Sequence, residues 1–280
     1  MLESMTFRRL SSCFLLLPVL VLACTTFDTA AVDGGAPDAT AADGEVRLDA
    51  GGPSDGAAEA TRDAGPFTCN GTAWLCDDFE DPAFPKAPWA LANFGAGSAL
   101  LLKDVLAPSP SQVMLAQAPG GGRGRLSASH DVMTKAVRCV LEVNGRKRGD
   151  SEALLLQVGV QGAIAQYQVT LTVTTGDTVR VQGGGNGLDD GGLLDTPVPV
   201  PLSMFGSWHH VEVEVGMGAA AKVRVVIDGA VVLSSPTNGL DALRMLGDST
   251  KQFIHVGAAP SATSAAVWEV AYDNVRCDDR

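Results

Sequence analysis

From Leu75 to the C-terminus, apolar side chains recur at every second position or in short branched runs, and no stretch keeps helical spacing for more than a couple of turns. In Val137-Arg138-Cys139-Val140-Leu141-Glu142-Val143 the odd positions share one face, while Arg138 and Glu142 share the other. A strand with one buried and one wet face has this pattern. Residues 165–174 repeat it, with Tyr167, Val169, Leu171 and Val173 inward and Gln166, Gln168, Thr170, Thr172 and Thr174 outward. Between the branched runs of residues 222–234, Asp228-Gly229 predicts a two-residue hairpin, because both positions tolerate positive φ. Residues 208–215 also alternate, with His209 on the valine side and His210 on the glutamate side, so the two imidazoles cannot chelate one metal from a regular strand. Near the C-terminus, Trp268, Val270 and Tyr272 share one face and Val267, Ala271 and Val275 the other, as in a central strand with both faces partly covered. Roughly a dozen such segments predict an all-β fold, a two-sheet antiparallel jelly-roll sandwich. Gly183 to Pro201, rich in Gly, Asp and Pro, reads as one long loop.

The first residues follow a different rule. Arg8-Arg9 precede an apolar run from Phe14 to Ala23 that is too short to span a bilayer, which marks residues 1–23 as a signal peptide. The run ends in Val21-Leu22-Ala23-Cys24, which resembles the bacterial lipobox. That resemblance implies cleavage before Cys24, acylation of its thiol and attachment to a membrane through the lipid alone, since several buried acyl chains hold firmly. Thr25 stands where inner-membrane lipoproteins usually carry Asp, so an outer-membrane location in the cell envelope is expected. Residues 24–66, nearly all Ala, Asp, Gly, Thr and Pro, bear nine acids against two bases and too few apolar groups to offset chain entropy, and they predict a disordered linker. The folded domain then spans residues 67–280.

Net charge of −12 over 280 residues argues against nucleic acid as a partner, because phosphate binding needs concentrated Lys and Arg. In an exported domain, Cys69, Cys76, Cys139 and Cys277 are expected to form two disulfides. Pairing Cys69 with Cys76 closes a short loop and leaves Cys139 and Cys277, each at a strand end, to join as antiparallel neighbours. Cys76 with Cys277 remains open on the same grounds.

Cys76-Asp77-Asp78-Phe79-Glu80, the Trp208-His209-His210-Val211 strand, the Asp228-Gly229 hairpin and Tyr272-Asp273-Asn274-Val275-Arg276 together resemble the concanavalin A-like lectin/glucanase superfamily, especially its laminin-G-like modules. The resemblance implies two curved sheets in which the first and last strands are neighbours and glycans lie on the concave face or its rim. Glucanases of that superfamily carry Glu-x-Asp-x-Glu on one strand, a spacing absent from this chain. Glu212 and Glu214 share a face without a third carboxylate and read as strand-surface residues. The related alginate lyases use an Arg/Gln-His/Tyr-Lys set, from which Phe253-Ile254-His255-Val256 departs by lacking the Gln. No catalytic residue is therefore assigned. By the same resemblance, Asp273 matches a calcium ligand of the glucanase branch, with Glu80 as a second candidate, so Ca2+ is the one cofactor suggested. Trp89, in loop-like sequence, and Gln166 and Gln168, on an outer face, are the candidate glycan contacts, since sugar faces pack on rings. These features predict a monomeric, surface-tethered, non-catalytic module binding glycan or a surface protein. A polysaccharide hydrolase or lyase and a structural envelope protein are the alternatives.

Overall fold

The computed structural model of the chain describes residues 67–69, 71–109, 111–131, 135–163, 166–186, 198–200, 202–234, 243–244, 246, 251–262 and 265–280. The expected signal peptide, Cys24 and acidic linker lie outside them. In chain order the strands are β1 (Ala73–Asp77), β2 (Ala90–Leu91), β3 (Ser98–Asp104), β4 (Ser111–Ala118), β5 (Gly124–His130), β6 (Ala136–Lys147), β7 (Ala153–Gln161) and β8 (Gln166–Val173). They continue as β9 (Val179–Asn186), β10 (Val198–Val200), β11 (His209–Gly216), β12 (Lys222–Ile227), β13 (Ala230–Ser234), β14 (Lys251–Pro260) and β15 (Trp268–Asp279). The first sheet has the order β13-β12-β11-β6-β15-β4-β3, with β1 pairing β15, and the second β10-β9-β8-β7-β14-β5-β2. All of these pairings are antiparallel, and the two sheets form the expected jelly-roll sandwich.

The alternation read from the sequence builds the layer between the sheets. Val137, Cys139, Leu141 and Val143 of β6 face Tyr167, Val169, Leu171 and Val173 of β8 in one apolar core, closed by Trp268, Val270 and Tyr272 of β15. β1 pairs β15 as the resemblance implied, with Leu75 opposite Cys277. Asp228 and Gly229 take φ of 50° and 81° and turn β12 into β13. The disulfides are Cys69–Cys76 and Cys139–Cys277, the latter between residues directly opposite on β6 and β15, so the Cys76–Cys277 alternative does not occur.

Two expectations are corrected. Val275 does not share a face with Ala271: a register shift between Asp273 and Arg276, with Asn274 at φ 51°, rotates the strand so that Val275 and Cys277 join the main core. Ala271 instead packs with Val113 and Leu115 in a small second cluster that Ala107 and Trp208 adjoin. The long loop does not begin at Gly183, because Gly183–Asn186 continue β9 and pair with β8, and Val198–Val200 pair back onto β9. Ladder hydrogen bonds need only backbone groups, so a glycine run can pair even though it supplies no side chain to signal it.

Candidate functional site

The outer face of the second sheet carries a continuous polar row. Ser127 on β5, His255 on β14, Gln157 on β7, Thr170 on β8 and Gln182 on β9 stand directly opposite one another across five adjacent strands. At the usual interstrand spacing this row is about 19 Å long. Alongside it runs Ser129, Phe253, Gly159, Gln168 and Gly184. The second row has no side chain at two of its five positions, Gly159 and Gly184. A Cβ on Gly159 would lie 2.3 Å from the Phe253 ring and 2.6 Å from the Tyr167 carbonyl, so glycine is what lets that ring lie flat over the neighbouring strand. Next to the row lies a depression of about 250 Å³ lined by Ser127, Ser129, Gln161, Gln166, Lys251, Phe253 and His255.

Amides and hydroxyls line the depression, and each both donates and accepts. Gln157 Nε2 donates to Gln168 Oε1, which also accepts from Gln166 Nε2 at 3.2 Å. This chain of amides fixes the orientation of three side chains before any ligand arrives. Beside it, the His255 ring lies 5.4 Å from that of Phe253, and its Nδ1 is buried without a hydrogen-bond partner among the described residues. Burial first, and the nearby Arg125 second, push the imidazole pKa down to about 4, so His255 is neutral at neutral pH. Arg125 lies opposite Gly257, at the end of the row, and is itself partly desolvated. Beyond it, Arg123 sits 5.9 Å over the ring of Phe94, which is 68% exposed.

The structure places the residues singled out in the sequence as follows. Gln166 and Gln168 fall on this face. Trp89 does not: it is 5% exposed and stacks on Phe79 at 6.3 Å inside the core, so it is no platform for a ligand. Its loop-like surroundings reflect an irregular backbone that is nonetheless covered. The exposed ring of that region is Phe94, five residues later. Gln157 and Ser127 carry no local signal, since each is a single polar residue in an otherwise ordinary alternation, and His255 stands out only in the lyase-like segment Phe253-Ile254-His255-Val256. Their convergence depends on strand order, which no local pattern reveals.

The carboxylates considered for chemistry are committed elsewhere. Glu212 pairs with Arg138 at 2.7 Å and Arg224 at 3.3 Å, and Arg138 holds its carboxyl below the usual range. Glu214 pairs with Lys222 at 2.7 Å. A general acid needs a raised pKa, and the Arg138 guanidinium beside Glu212 acts in the opposite direction. Asp273 accepts from the Ser109 N–H at 2.8 Å, the Ser109 hydroxyl at 2.7 Å and the Asn274 N–H at 2.8 Å. Glu80 accepts from the Ser111 hydroxyl and the Gln112 N–H, both at 2.8 Å. Together they pin the segment that leads into β4. Calcium needs several oxygens with free lone pairs. Donors already cover both carboxylates, and no group of three or more His, Cys, Asp or Glu among the described residues could hold a metal ion. The residues present do not fit the calcium site that the resemblance implied.

No protein-family model and no curated protein sequence matches the chain. Solved structures do. The cellulose induced protein Cip1 aligns with a TM-score of 0.51 at 15% identity, over 74% of this chain and 97% of its own. Alginate lyase A1-II′ aligns with a TM-score of 0.49 at 15% identity, over 64% of this chain and 83% of its own, and alginate lyase Aly36B with 0.45 at 16%, over 60% and 80%. At such identities the likeness to Cip1 establishes the fold.

Proposed function

We propose that the outer face of the second sheet binds a glycan chain without cleaving it. The observation that carries the reading is the five-strand polar row beside a depression floored by Phe253. Fixed amides and hydroxyls there match sugar hydroxyls in donor and acceptor character, and the exposed Phe94 ring offers apolar surface to sugar faces. In this reading Cys24 anchors the chain to the outer membrane and the acidic linker displays the domain. The test is titration calorimetry against neutral and acidic oligosaccharides, repeated with Q157A/Q168A. Loss of two side-chain hydrogen bonds, each contributing about 0.5–1.5 kcal/mol, should weaken binding roughly tenfold. Equal affinity in the double variant, or no binding across the panel, would count against it.

One observation favours a second reading, that of a polysaccharide lyase. A neutral imidazole at His255 beside the Arg125 guanidinium could take a proton next to a carboxylate-bearing carbon. Against it, both tyrosines of the chain, Tyr167 and Tyr272, are fully buried, so the face offers no phenol to protonate a leaving group. Appearance of ultraviolet-absorbing unsaturated uronates on incubation with polyuronates, abolished in H255A, would establish the lyase and displace the binding module.

A further inference from the structure

We propose that Ser207, His209 and Asp228 form a hydrolytic site for small O-acyl esters, separate from the polar face of the second sheet. Asp228 Oδ2 lies 2.7 Å from His209 Nδ1, and His209 Nε2 lies 2.9 Å from the Ser207 hydroxyl. A carboxylate can only accept, so in the neutral ring Nδ1 carries the proton and Nε2 is left as the acceptor facing the serine O–H. This order of roles matches that of a serine hydrolase triad, which is recognised by geometry and not by sequence position.

The surroundings suit the task. The imidazole is 5% exposed, which keeps water from competing for its nitrogens, while Ser207 is exposed two residues before β11. Asp228 sits in the β12–β13 turn at φ 50°, and its Oδ1 accepts from the His210 N–H at 2.9 Å, so the carboxylate is oriented from the side away from the ring. The Ser207 N–H makes no hydrogen bond to any described residue, which leaves one backbone donor beside the hydroxyl to face a developing oxyanion. Gly206 precedes it at φ 83° with open space where a side chain would stand, so an acyl group has room next to the nucleophile. A purely structural clasp between loop and hairpin would explain the His209–Asp228 contact, but it does not require an exposed hydroxyl on the remaining nitrogen.

In the reaction, Ser207 Oγ bonds to the ester carbonyl carbon while its proton passes to His209 Nε2. The carbon–alkoxyl bond breaks and the alcohol leaves with that proton. Water then adds to the acyl-serine, gives its proton to His209, and the acid departs as Ser207 recovers its hydrogen. Asp228 is a positioning residue that acts through His209.

The experiment uses the full chain and a fluorophosphonate probe, in which Ser207 Oγ displaces fluoride, together with p-nitrophenyl acetate turnover. Peptide mapping should find the phosphonyl adduct on Ser207, and S207A should lose both adduct and turnover. D228N keeps an oxygen for the His210 N–H but turns an amide toward Nδ1, which reverses the tautomer. Its labelling rate should fall by roughly 10³-fold or more, and the pH profile of labelling should differ from that of the wild type. No adduct on wild-type Ser207, or turnover that survives in S207A, would overturn the proposal. Mapping on the wild-type chain decides the matter even if a variant fails to fold.

Discussion

Removing the Tyr272 hydroxyl tests how the two sheets are locked together. Tyr272 stands on β15 in the first sheet, yet its O–H lies 2.8 Å from each of two carbonyls in the second, those of Leu155 and Gly257. Both residues sit where the β7–β14 ladder shifts register, and Leu155 is also skipped in pairing with β8. A bulge leaves carbonyls without ladder partners, and one phenol answers for two of them. Burial raises the Tyr272 pKa far above the physiological range, so the phenol stays protonated and available as donor. Tyr272→Phe keeps the ring and its packing and deletes only the donor. The cost is that of buried acceptors left unsatisfied, about 1–3 kcal/mol. For a domain of this size each kcal/mol moves Tm by about 2–4 °C, so a fall of roughly 5 °C is expected in a thermal melt followed by circular dichroism. Amide hydrogens flanking the bulge should also exchange faster. A Tm within about 1 °C of wild type would show that the bulge carbonyls do not depend on Tyr272, and the cross-core lock would be refuted.

The two disulfides should differ in worth. By loop-closure entropy, removing Cys69–Cys76, with a separation of 7, costs about 2.4 kcal/mol, whereas removing Cys139–Cys277, with a separation of 138, costs about 5 kcal/mol. Urea melts of the two double-alanine variants check the order. The pH dependence should show two opposed contributions. His255, at about 4 when folded against 6.5 when free, supplies stability that is present above pH 6.5 and lost as pH falls toward 4. Asp273, raised to about 6 from 3.8 by burial, has the reverse sign, because the folded state holds its proton more tightly and gains as pH falls through that window. The stability difference between wild type and H255N should therefore change steadily between pH 6.5 and 4, and a constant difference would contradict the buried, neutral imidazole. Saturating calcium should leave Tm unchanged, since Ser109 and Asn274 already donate to Asp273; a rise in differential scanning calorimetry would show that the ion displaces them.

Period-two alternation in residues 137–143 and 166–174 was enough to specify class and inward faces, because a strand with one buried face can satisfy only one parity. The Asp228-Gly229 turn was equally legible, as few residue pairs accept two positive φ angles. Local pattern failed where the backbone left the regular pleat. The bulges at Leu155 and around Asn274 reverse parity without any change in composition, so alternation alone puts Val275 on the wrong face. Of the polar face, Gln166 and Gln168 could be read because several polar residues alternate on one strand, while Ser127, Gln157 and His255 come from three strands far apart in sequence. Aromatic exposure was legible least: Trp89 and Phe94 lie in similar irregular sequence, and only packing against Phe79 separates the buried ring from the exposed one.

The pairing of β1 with β15 also determines how this domain can be mounted. Arg276 reaches the Thr68 carbonyl at 3.4 Å, and Arg280 exchanges backbone hydrogen bonds with Ala136, so both ends of the domain emerge from the first sheet. A tag or solid support joined after Arg280 therefore grips the sandwich by the first sheet and not by the one that bears Gln157 and Gln168.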